Sequence, residues 1–192
     1  MAAIEVGPTL SAWSNFYVMM GSAAAALTGL MFVVITLISQ MERAQGSEEG
    51  LAAFGTPTVL HFCAALLIAA ILSAPWHSLI PIVVLVALAG LFGVAYIVRA
   101  MHRSTRLTDY RPDLSDWISY QIVPLIAYAA TLAAAIMLLT AARMALFIIA
   151  AGIVALIFVG IRNAWDTVTY LAVINPDRSN VEAASDEKRP LR

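Results

Sequence analysis

Gly160-Ile161-Arg162-Asn163-Ala164-Trp165-Asp166-Thr167-Val168-Thr169-Tyr170 is where the last long apolar run of the chain turns polar without a helix breaker. No polar side chain occurs between positions 144 and 161. Arg162, Asn163, Asp166, Thr167 and Tyr170 fall at helical offsets that put them on one face, with Ile161, Trp165, Val168 and Ala172 on the other. The stretch predicts a membrane-crossing helix whose end reaches a polar level of a helical bundle.

Composition carries the same message over the whole chain. Of 192 residues, 61% are hydrophobic and 12% charged. A soluble domain has about 25% charged residues, so half that density, concentrated in a few segments, means that most of the surface faces lipid. The net charge of −1 gives no reason to expect nucleic acid. The single cysteine, Cys63, excludes an intrachain disulfide and thiolate metal sites. Abundant Ala and the excess of Arg over Lys fit a bacterial source. The first Lys or Arg is Arg43, so no positive region precedes the first apolar run and no signal peptide is expected.

Five spans are expected, at about 16–39, 57–76, 79–98, 117–140 and 144–162. The last continues as an amphipathic extension to 174, where Asn175-Pro176 is expected to stop it. Residues 1–15 form a short leader, and the polar, mixed-charge segment 175–192 is expected to be disordered. Trp13, Phe16 and Tyr17 stand at the entry to the first span, where aromatic rings favour the headgroup level. The connections are 40–50, Ser73-Ala74-Pro75-Trp76-His77-Ser78, 99–116 and the minimal turn Ala141-Ala142-Arg143. With five spans, ten of the eleven Lys and Arg residues share one side and only Arg143 lies on the other. The positive-inside rule then predicts an N-terminus outside and a C-terminus in the cytoplasm.

Pro57 precedes His61 by four residues, and Pro124 precedes Tyr128 by four. Each proline opens a hairpin that ends on an Arg, Arg99 in one and Arg162 in the other. The equal spacing fits a parallel repeat after a unique first helix. It also fits two hairpins of equal orientation with no common origin.

Several residues are candidates for more than span-filling. Gly21, Ala25 and Gly29, four apart, form a helix-packing seam that allows close backbone approach. Its partner is either within the chain or in another subunit. His61 lies about 6 Å inside the second span. A haem, metal or proton-relay role would need a second ligand at comparable depth, so a neutral imidazole bonded to a neighbouring helix is the simpler reading. Arg162 and Asp166 have the spacing of an interfacial ion pair. Arg99, Arg103 and Arg106, with His102, make a basic face for anionic lipid headgroups. Orientation brings His61, Tyr96, Tyr120, Gln121, Arg162, Asn163 and Asp166 to similar depth from four helices. A hydrogen-bonded polar cluster is expected there, with His61 and Asn163 as its interior members.

No Asp, Glu or Lys lies in the apolar part of any span, and H-E-x-x-H, G-x-S-x-G and P-loop motifs are absent from the sequence. No catalytic activity and no cofactor are expected. The run 160–166, together with Phe16-Tyr17 and Gly21-Ser22-Ala23-Ala24-Ala25-Ala26, resembles small bacterial integral membrane proteins of unassigned function. The resemblance implies no activity. The sequence therefore leads to an all-α, polytopic protein of the bacterial inner membrane. Its expected role is structural or accessory, exercised through helix packing, with a homo-oligomer or a membrane-protein partner. The alternative is a channel or passive carrier for a small solute, gated around His61 and Asn163.

Overall fold

A computed structural model of the chain describes residues 10–45, 51–104 and 118–186. Among the described residues there is no strand. Five α-helices follow one another in the described residues: α1 (Ser14–Gln45), α2 (Leu51–Ser73), α3 (Leu79–Ser104), α4 (Val123–Met137) and α5 (Ala142–Asp186). A single π-helical turn, Ile118–Ile122, leads into α4.

Four of the helical segments, Ser14–Thr36, Leu79–His102, Ile118–Met137 and Ala142–Asp166, are long and apolar enough to cross a membrane. The apolar part of α2, Pro57–Ser73, is shorter. Its 17 residues rise about 26 Å against a hydrocarbon core of about 30 Å. Large apolar side chains are exposed on every helix, among them Phe32, Leu67, Phe92, Ile126 and Phe158. An apolar surface running right round a helical protein is one made for lipid.

Helices α2, α5, α4 and α3 pack in that cyclic order, and α1 lies outside, chiefly against α2. The centre is α5: over its most apolar 18 residues 56% are buried, against 17% for α1. Its buried positions, including Leu146, Ile149, Ile153, Leu156 and Ile157, recur every three or four residues and serve two neighbours at once. Glycines let the bundle close. A Cβ at Gly90 would stand 2.9 Å from the backbone nitrogen of Leu132, and one at Gly93 would fall inside the ring of Tyr128. On α5, a Cβ at Gly160 would reach 2.5 Å from the Phe62 ring. Lacking a Cβ, these three positions let α3 approach α4, and α5 approach α2, closely.

Several expected boundaries move: α1 continues to Gln45, well into the expected connection 40–50, and α3 runs to Ser104. The second helix starts at Leu51, so Pro57 lies inside it. The fifth runs through Pro176 to Asp186. A proline removes one N–H and crowds one carbonyl, which kinks a helix or ends it. Here the helix runs on past each proline. The helical backbone up to Asp186 corrects the expected end at 174 and the disorder expected from 175 on, and residues 187–192 lie outside the described ones. The turn between α4 and α5 occupies residues 138–141, with Ala141 N–H bonded to the Met137 carbonyl at 2.8 Å. Ala142 and Arg143 already belong to α5. Between α2 and α3, Pro75 ends the helix and the Trp76 indole donates to the Ile71 carbonyl at 2.6 Å. Pro81 stands in the first turn of α3, where its missing N–H has no helical partner to lose.

Candidate functional site

The buried polar residues among those described are Thr58, His61, Ser119, Thr131 and Asn163, with the fully buried phenol Tyr128 among them. Thr58, His61 and Asn163 have no solvent exposure at all. Position explains this for α2. Thr58, His61, Ala65, Ile68 and Leu72 share the inward stripe, so two polar side chains replace apolar ones at the end of the helix that follows Pro57.

His61 Nδ1 lies 2.9 Å from the Tyr128 hydroxyl, joining α2 to α4. The two rings are tilted, with centroids 5.7 Å apart. These are the residues that stand four positions after Pro57 and Pro124, and they meet across the interior. Tyr128 also fills the hollow at Gly93, and Phe62, next to His61, fills the one at Gly160. Each hairpin therefore sends an aromatic ring from its first helix into a glycine on the second helix of the other.

Asn163 reaches the same level by way of α5. Gly160 sits against Phe62, and the two helices run in opposite directions. Three residues further along α5, about 4.5 Å, place Asn163 level with Thr58 and His61. The expected interior members of the polar cluster, His61 and Asn163, are both fully buried.

Of the other expected members, Tyr96 lies near enough to Tyr128, the partner of His61, for the two phenols to interact electrostatically, whereas Arg162 and Asp166 lie on the outer face. Tyr96, Tyr120 and Gln121 are half-buried, although Gln121 Oε1 itself is buried. Arg162 and Asp166 sit on the outside and pair with each other at 3.8 Å. At that exposure, an i, i+4 pair contributes a few tenths of a kcal/mol. Trp165 is also outside. The reason is angular: Asn163 lies 100° round the helix from Arg162, whereas Asp166 lies only about 40° away. The polar face read from the sequence was too broad, and Asn163 belongs to its inward edge.

The expected seam divides in a similar way. Gly21 is buried, and a Cβ there would meet the Ala69 side chain at 3.2 Å. Ala25 and Gly29 are exposed, and nothing lies within 4 Å of a Cβ built at Gly29. A strict four-residue step drifts about 40° each time on a 3.6-residue helix. The face that packs inward instead follows Tyr17, Gly21, Ala24 and Met31, mixing steps of three and four. On the basic face, Arg99 and His102 are exposed near the end of α3. The side chain of Arg103 and the whole of Arg106 lie outside the described residues.

Sequence reasoning passed over Tyr128 as a site residue, as well as Thr58, Ser119 and Thr131. The signal for Tyr128 was the repeated spacing from proline. For Thr58 it was the i, i+3 relation to His61, which puts both on one face. Among the described residues no three of His, Cys, Asp or Glu come together as a metal site. Cys63 faces outward. No family model, curated protein or solved structure matches the chain.

Proposed function

We propose that this is a five-span protein of the bacterial inner membrane, N-terminus outside and C-terminus in the cytoplasm. It acts without catalysis, as a structural or accessory component that assembles through helix packing. One contrast carries the reading. The interior is packed to backbone contact at Gly90 and Gly93, while Ala25 and Gly29 on α1 turn outward. Small residues that expose backbone on the lipid side favour a second helix, because close approach gains dispersion contacts that lipid supplies less well. The exposed Arg99 at the end of α3 fits anionic headgroups on the cytoplasmic face.

Cross-linking in native membranes tests this. With Cys63 replaced by Ser, a cysteine at position 29 should cross-link to a second copy or to a partner protein. A cysteine at position 24, which is buried against the bundle, should not. Equal behaviour at both positions would contradict assembly through this face.

The burial of His61, Thr58 and Asn163 at one end of the bundle favours a second reading, a passive path for a small solute with this polar level as its gate. Solute flux into liposomes, changed by His61→Leu, would support it. Flux equal to that of empty liposomes would remove it.

A further inference from the structure

Thr58 and His61 lie three residues apart on the inward face of α2, and each turns a buried polar atom, Thr58 Oγ1 and His61 Nε2, to no partner in the protein. Thr58 departs from a local habit. Thr28, Thr36, Thr131, Thr140 and Thr169 each donate to a carbonyl of the preceding turn or two, as threonines in apolar helices generally do. The Thr58 hydroxyl does not, although it is completely buried.

The tautomer of His61 follows from its neighbour. The Tyr128 hydroxyl is buried, and it lies against His61 Nδ1. If the phenol donates its proton to Nδ1, the bond is satisfied and the remaining ring hydrogen sits on Nε2. If Nδ1–H donated instead, the phenol proton would be left buried without an acceptor, which costs about 1–3 kcal/mol. The interior therefore presents an Nε2–H donor beside a hydroxyl that can donate or accept. Gln121 Oε1, another buried acceptor without a partner, stands two turns before Tyr128 on the same strand of helix. These are neutral polar groups, and the ion pair Arg162 with Asp166 is on the outer surface.

We propose that Thr58 and His61 form a binding site for a small uncharged ligand. A carbonyl or hydroxyl oxygen of the ligand accepts from His61 Nε2–H, and a second polar group bonds to Thr58 Oγ1. A charged ligand is disfavoured, since among the described residues no charged side chain is buried with the pair and burying an unpaired ion is costly. A polar solute from water and a carbonyl compound dissolved in the bilayer, such as a quinone, offer the same oxygen. The inference rests on the placement of the polar level described above, not on conduction through it.

The full chain carrying His77→Gln and His102→Gln, both at exposed positions, leaves His61 as the only histidine. With 15N-labelled histidine and the protein in liposomes, solid-state NMR reads its two ring nitrogens separately. Glycerol and urea are titrated in one arm and a short-chain quinone in the other. The site predicts a protonated Nε2 whose resonance shifts saturably in one arm, which identifies the source. Thr58→Val, which removes only a partnerless hydroxyl and so leaves the fold intact, should weaken that titration about tenfold, as the loss of one hydrogen bond implies. No saturable shift in either arm, or an unchanged titration in Thr58→Val, would overturn the proposal. So would a proton on Nδ1. A site that holds only water gives the first of these results.

Discussion

The Tyr17 hydroxyl donates to the Leu146 carbonyl at 3.0 Å, tying the outlying helix α1 to the central helix α5 across 129 positions of sequence. Around it Trp13 stacks edge-on against Phe147, with ring centroids 4.5 Å apart. Because α1 otherwise packs chiefly against α2, this bond is its main polar tie to the bundle centre. Tyr17→Phe keeps the ring and removes the bond, so stability should fall by about 1 kcal/mol. Amide exchange should quicken in the first half of α1 before it does in α5. Unchanged exchange there would show that the apolar contacts alone hold the helix.

Glycine substitutions should sort by what each Cβ would meet. Gly93→Ala and Gly90→Ala drive a methyl into the Tyr128 ring or the Leu132 backbone, and overpacking of this kind costs about 1–3 kcal/mol. Gly29→Ala meets nothing and should be neutral or slightly stabilising, since alanine is the better helix former. Thermal melts of the purified variants check the order.

Leucine at two positions of α1 separates folding from assembly. Gly21→Leu collides with Ala69 and should lower the stability of the protomer. Gly29→Leu should leave the protomer's melt unchanged and reduce the detergent-resistant assembly. Loss of assembly only in Gly21→Leu would place the contact face elsewhere.

The proposed orientation, drawn from the charge asymmetry, puts the position after residue 174 in the cytoplasm. A reporter active only in the periplasm, fused there, should be silent. Activity would overturn both the orientation and the count of five spans.

The helical bundle and four of its membrane-length apolar runs could be read directly, since hydrophobic runs of this length have few other uses; the second helix is apolar over a shorter stretch. Helix ends could not. Pro57 and Pro176 carry the strongest local stop signal, yet helix continues on both sides of each. A proline's effect on the ladder depends on neighbours that one segment does not reveal. The burial of His61 and Asn163 was legible from depth and the demand that polar groups in lipid find partners. Separating Asn163 from Arg162 needed the packing of Gly160 on Phe62, which fixes the rotation of α5. Tyr128 hid in plain view, because a tyrosine among alanines reads as core, and only its distance from a proline marked it out.

The claim at the centre of this account is that the His61–Tyr128 bond joins the two hairpins inside the membrane. A double-mutant cycle measures it. The wild type, His61→Leu, Tyr128→Phe and the double variant are unfolded in mixed micelles by increasing the fraction of denaturing detergent. Each single variant leaves a buried polar group behind and should lose about 1–3 kcal/mol. The double variant should lose less than the sum, with a coupling of about 0.5–3 kcal/mol. Additive losses would mean that the two side chains do not interact, and the joint as described would be wrong.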